Sequence, residues 1–199
     1  MKMNNRAEAV YKEAAKRLAW LVAADDSTVK ARLAELRHGA GNAPGEIPTL
    51  WGMIFDELPE EMLGRYGKPS SAEWAIYDAM TIYAVHQQGN DPETNNMNVK
   101  GISLGKAACD LVFAKDGTED DRERVSRRFY PIVLAADIET FTYYLRTFIP
   151  LLRGAGIGLD YAMLARDIYL CQSESGRSSV QIRWGQDYYS SNHEEGKNE

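Results

Sequence analysis

Residues 118–153 read TEDDRERVSRRFYPIVLAADIETFTYYLRTFIPLLR, and the spacing within this stretch decides the fold class. Val125, Phe129, Ile132 and Val133 recur three and four residues apart, which places them on one stripe of a helix beginning at about Thr118. Phe141, Leu145, Phe148 and Leu152 repeat the pattern over 137–153. Arg124, Arg127 and Arg128 line the flank of the first stripe. Arg146 and Arg153, seven apart, sit together at the edge of the second, where stems can be buried while guanidinium heads stay in water.

The same period extends outward in both directions, and no alternating strand pattern interrupts it. A helix over 6–24 puts Val10, Ala14, Leu18 and Leu21 on one face, with Glu8/Lys12 and Glu13/Arg17 as pairs four residues apart. Ser27 caps a second helix ending near Arg37, His38 and Gly39. Glycine and proline break 39–69 into short pieces around 50–57 and 60–65. Ser70 or Ser71 then caps a helix to about Gln88, whose Trp74, Tyr77, Ile82, Tyr83 and Val85 mark it as the central core helix. Further helices are expected over 103–114, 118–135, 137–153, 160–172 and 178–189, with Pro131 and Pro150 kinking or dividing the two that hold them. The segment 89–100, GNDPETNNMNVK, has the composition of an exposed mobile loop. The expectation is an all-α chain: a single compact helical bundle over 1–190, with an amino-terminal lobe 1–88 and a carboxy-terminal lobe 102–190 joined by the loop 89–101, and a flexible tail 191–199.

Charge is segregated. The chain carries −6 overall, and residues 41–98 alone hold two basic against nine acidic groups. Between Arg122 and Arg183 lie nine arginines and no lysine. Arginine supplies a permanent charge and a planar donor fork matched to phosphate, and screening over about 8 Å lets a local cationic stripe act despite a distant acidic region. A polyanion-binding surface is one reading. The other is a solvated face salt-bridged by Asp121, Glu123 and Glu139. Two cysteines, Cys109 and Cys171, are too few for a disulfide scaffold. The amino terminus has no signal-peptide core and no stretch reaches the roughly 18 to 20 apolar residues of a membrane span, so a reduced, cytoplasmic protein without membrane contact is expected.

Chemistry-bearing motifs are sparse. Gly154, Gly156 and Gly158 follow a helix instead of a strand, which marks a helix stop and not a dinucleotide loop. Asp116, Glu119, Asp120 and Asp121 miss calcium-loop spacing and sit where a helix start favours carboxylates. His38, His86 and His193 form no two-histidine helical motif, so neither metal nor cofactor nor catalytic group is expected. The helix over 160–172, a turn at 173–176 and SVQIRW resemble a helix-turn-helix with Gln181 and Arg183 available to bases; ordinary packing with Val180, Trp184 and Tyr188 in the core is the competing reading.

Taken in order, LAELRHG (33–39), EIPTLW (46–51), GISLGKA (101–107), RRF (127–129), YLRTFIPLLR (144–153), LDYAMLARDI (159–168) and RWGQDYY (183–189) resemble the CasB family, the small subunit of the type I-E Cascade, a CRISPR RNA-guided surveillance complex. The resemblance implies an all-helical, non-enzymatic subunit present in two copies beside the subunits that hold the guide RNA, stabilising the R-loop through basic surface on the displaced DNA strand. Carried onto this chain, the matched basic positions are Arg37, Lys106, Arg127, Arg128, Arg146, Arg153 and Arg183. His38 stands where the family shows a second arginine, and it loses fixed charge near neutral pH.

Overall fold

Ser71–His86, here α4, is buried almost all the way round: thirteen of its sixteen residues are inside. A helix with apolar surface on every side must be wrapped by others, and α1 (Lys2–Val22), α2 (Asp26–Gly39), α7 (Ile138–Ala155) and α8 (Tyr161–Cys171) all pack on it. The short α3 (Trp51–Phe55) touches its flank, α5 (Leu104–Phe113) lies on α9 (Glu174–Ser190), and α6 (Glu119–Leu134) lies along α7. The computed structural model describes residues 2–190; His193 and the expected tail 191–199 lie outside the described residues. Among the described residues there are nine α-helices and no strand, only two isolated β-bridges. The all-α class expected from periodicity is the class observed.

The helix starts are written in side chains. Ser70 Oγ accepts from the Glu73 N–H while Glu73 Oε2 accepts from the Ser70 N–H, a reciprocal capping box. Thr118 and Asp121 form another on α6, Ser103 caps α5, and Asp137 and Asp160 cap α7 and α8. Of the acidic run, Asp121 is thus capping chemistry, and Glu119 and Asp120 lie beside it in the first turn of α6. Gly156 ends α7 in the left-handed region at φ 68°, and the Ile157 N–H reaches the Leu152 carbonyl at 3.0 Å. The glycine series is a helix stop. At Gly105 the α5 backbone comes so close to the Trp184 carbonyl on α9 that a Cβ would lie 2.3 Å from it, and only glycine permits that approach.

Four expectations need correction. Asp25, not Ser27, caps α2, its carboxylate taking the Thr28 N–H. Of the two outcomes expected for Pro131 and Pro150, division does not occur: α6 and α7 run through them, since tertiary packing offsets one lost backbone bond per proline. Helix α9 begins at Glu174, inside what was read as a turn. The segment 89–101 is stitched to its surroundings: Gln87 holds the Asn95 carbonyl and the Met97 N–H, Met97 and Val99 bond the Leu159 backbone, and Asp160 takes the Gly101 N–H. Met97 is buried, so one apolar anchor and a short bridge at Asn98 and Leu159 turn a polar stretch into a fixed strap. Core side chains from both sides of it belong to one continuous cluster.

Candidate nucleic-acid interface

Helix α7 presents Tyr143, Thr147, Pro150 and Gly154 to solvent, with Phe141, Leu145, Phe148 and Leu152 on the opposite, buried side. That division is the 3.6-residue period acting on one amphipathic segment. On one flank of the exposed face lies α6. There Lys115, Arg124 and Arg128 line a groove of about 440 Å³ together with Leu111, Val125, Leu151 and Ala155. On the other flank Arg146 lays its guanidinium against the Gly41 turn, where a Cβ would fall 1.8 Å from Nη1. Arg37, at the end of α2, lines a neighbouring pocket with Lys30, Gln88 and Asn90.

The nine-arginine segment is not one cationic band, because the fold assigns its members different tasks. Arg183 donates a hydrogen bond from Nη2 to Asp167, a carboxylate only 1% exposed that also accepts from Trp184 Nε1 at 3.0 Å and pairs with Arg166 at 3.3 Å. Burial pushes the Asp167 pKa up, and the Arg183 and Arg166 charges oppose that rise. Arg153 donates to the Val85 carbonyl and to Gln88 Oε1, both at 3.0 Å, tying the end of α7 to the end of α4. Arg177 holds the Ala136 and Cys171 carbonyls. Arg122 lies over Tyr188 and Tyr189, and its Nη1 has no hydrogen-bond partner among the described residues.

Of the surface arginines, Arg124 pairs with Asp121 at 3.3 Å and Arg127 with Glu123 at 2.6 Å. Lys106 pairs with Asp110 at 2.9 Å and is not among the residues lining the α6 groove. Among the described residues Arg37, Arg128 and Arg146 have no carboxylate at ion-pair distance. An exposed pair like Arg127 with Glu123 is worth little and is easily exchanged for a phosphate; a guanidinium on a buried carboxylate is not. Arg183 and Arg153 thus serve the fold first, while Arg127, Arg128 and Arg146 stand at the surface on both sides of one helix. Lys115 was missed by sequence reading, since it joins the groove only because the end of α5 packs beside α6.

The helix-turn-helix reading loses its reading residues: Gln181 donates to the Val133 carbonyl at 2.7 Å, and Arg183 is held by Asp167. Val180, Trp184 and Tyr188 are in the core. Among the described residues no group of three or more His, Cys, Asp or Glu is placed to hold a metal ion. His86 is buried against Tyr161, its Nδ1 2.8 Å from the phenol oxygen, and burial lowers its pKa to about 4. No described helix is long and apolar enough to cross a membrane.

The class is that of CRISPR-associated proteins: the family model described as "CRISPR-associated protein Cse2 (CRISPR_cse2)" matches residues 32–189. The chain belongs to that family, and with it is a Cascade subunit. It is similar to CasB from Thermobifida fusca, at 28% identity and a TM-score of 0.66, over 94% of this chain and 98% of that one. CasB from M. ruber shares the fold at 24% identity and a TM-score of 0.59, over 81% of this chain and 85% of that one. So does a Cse2-family protein from Thermus thermophilus, at 22% and 0.56 over 94% and 97%. No curated protein sequence matches the chain.

Proposed function

We propose that the protein is a non-catalytic, cytoplasmic subunit that steadies the R-loop of an RNA-guided DNA surveillance complex, holding the displaced strand along α7 while its other faces bind guide-RNA-carrying subunits and a second copy. The observation that carries this is the pair of exposed arginines without carboxylate partners, Arg128 and Arg146, on either side of one solvent-facing helix. The apolar side chains Tyr130, Leu134, Ile182 and Tyr189, exposed along α6 and α9, supply surface for protein partners.

Backbone contacts of this kind matter because R-loop formation is a near-balanced exchange of duplexes, so a few kcal/mol decide whether the displaced strand stays out. Replacing Arg127, Arg128 and Arg146 together by glutamate in reconstituted complex should shorten R-loop lifetime by about tenfold or more, and three lost single-strand contacts should flatten its log-log salt slope by about 2. Assembly, followed by size-exclusion chromatography, stays intact. An unaltered R-loop lifetime in the triple variant would remove these residues from the interface.

A further inference from the structure

Arg65, Tyr66, Gly67 and Lys68 form a tight turn before α4. Tyr66 has φ 56° and Gly67 φ 71°, the two successive positive values of a type I′ turn. The Lys68 N–H closes it on the Arg65 carbonyl at 3.1 Å, and Arg65 and Lys68 form an isolated antiparallel bridge. This backbone belongs to Asn-Gly or Asp-Gly, and a bulky residue at the first position is strained there. The strain is not offset by packing, because Tyr66 is 99% exposed.

The turn is nevertheless fixed at its base. Glu73, buried inside its capping box, accepts the Gly64 N–H at 2.9 Å with the same oxygen that takes the Ser70 N–H at 2.6 Å, and Ser70 Oγ donates to the Met62 carbonyl. One buried carboxylate therefore ties both ends of the loop that lifts a bare aromatic ring into solvent. The side chains of Arg65 and Lys68, opposite each other across the turn, project from one face of it, and neither has a carboxylate at ion-pair distance among the described residues. A strained, rigid, fully exposed tyrosine between two cations does nothing for this fold, which is the pattern of a contact residue.

Its position continues the α7 surface. Arg146 rests on Gly41; Pro44, three residues on, lines a pocket with Phe55, Gly67 and Lys68. The 41–44 loop thus touches Arg146 at one end and borders Lys68 at the other. Exposed Glu60 and Glu61 stand on the chain just before the turn, and exposed Glu46 stands two residues beyond the buried Pro44, so the cations available to a phosphate at the turn itself are Arg65 and Lys68. Resting on the reading above, we propose that this turn is a stacking post for single-stranded nucleic acid: one base lies on the Tyr66 ring and the flanking phosphates meet Arg65 and Lys68. Stacking platforms between cations are how single strands are held without sequence preference. A protein partner is the weaker occupant, because the immediate neighbours of Tyr66 give it no apolar surround of the kind that seals a hot spot.

The test uses assembled complex and a target duplex whose displaced strand carries iododeoxyuridine at successive positions. Irradiation should crosslink a restricted set of positions to Tyr66, read by mass spectrometry. Tyr66→Asn, which keeps a residue tolerant of positive φ, should lose the crosslink and weaken strand retention by about five- to a hundredfold, the loss of one base–aromatic stack; Tyr66→Phe should retain both. If the Arg127, Arg128 and Arg146 triple variant shortens R-loop lifetime while Tyr66→Asn does not and no crosslink maps to the turn, the stacking post is wrong and the α7 surface stands. If neither variant has an effect, both fall. If Tyr66→Asn instead drops the subunit from the complex, the turn is a protein anchor and the proposal is overturned.

Discussion

Arg183 shows how one side chain's role depends on what the fold places beneath it. Its guanidinium is matched to phosphate by type, yet it sits on a carboxylate that folding has buried. Arg183→Ala should therefore reduce stability by about 2 to 3 kcal/mol in a denaturant titration, below the 3 to 5 of a fully orphaned buried charge, because Arg166 remains beside Asp167. Loss of R-loop lifetime with no loss of stability would reverse that assignment. Two other buried titrating groups pull in opposite directions. Asp78, on α4, accepts from Thr142 Oγ1 at 2.7 Å, and its other oxygen has no hydrogen-bond partner among the described residues; burial raises its pKa to about 7. The folded state thus holds a proton that the unfolded chain releases, so the Asp78 term costs stability as pH rises from about 4 to 7. His86 is the reverse: lowered to about 4, its contribution is complete above the ordinary histidine range and is lost as pH falls towards 4. Asp78→Asn should gain on the wild type steadily across pH 4 to 7 in thermal melts. His86→Gln should compare worst with the wild type near neutrality and recover towards pH 4. A constant offset in either case would contradict the assigned cause.

Elements were legible where their ends are chemical. Ser70 is the cap that the sequence reading named, and the helix starts read at Ser103, Thr118, Asp137 and Asp160 fall on residues that prove to be caps, since a short polar side chain before an apolar periodic run has one favourable use. Ser70→Ala should cost about 1 kcal/mol. Glu73→Ala should cost more, about 1 to 3 kcal/mol for each backbone N–H it strands, and should open the 62–70 segment to proteolysis. Equal protease resistance in that variant would show that Glu73 does not hold the turn. Elements were misread where a distant partner supplied the missing free energy. The polar 89–101 segment is straightened by the Leu159 backbone, some sixty residues away, and the prolines of α6 and α7 are tolerated because both helices bury a full apolar stripe. Neither compensation leaves a trace in local composition.

At the scale of the whole molecule α4 is the hub, and its parallel course with α7 brings Thr142 beside Asp78 and Arg153 beside Val85. That packing turns the α7 arginines into two populations, one pinned to the hub and one left at the surface. Salt should therefore act on function and not on the body: raising ionic strength weakens strand retention while the melting temperature changes little, since the structural arginines bind buried carboxylate or carbonyl groups screened poorly by ions. A melting temperature that falls in step with R-loop lifetime would refute this separation. The amino-acid order by itself determined the all-helical class, the apolar stripes and the family resemblance, because each is carried by residue type at short spacing. The pairing of Arg124 and Arg127 follows from spacing along α6, whereas the tasks of Arg146, Arg153 and Arg183 were decided only by tertiary structure. A charge is neutralised or exposed according to what stands opposite it in space: Asp121 meets Arg124 within one helix, three residues along, but Asp167, Val85 and Gly41 reach Arg183, Arg153 and Arg146 only once the helices have packed.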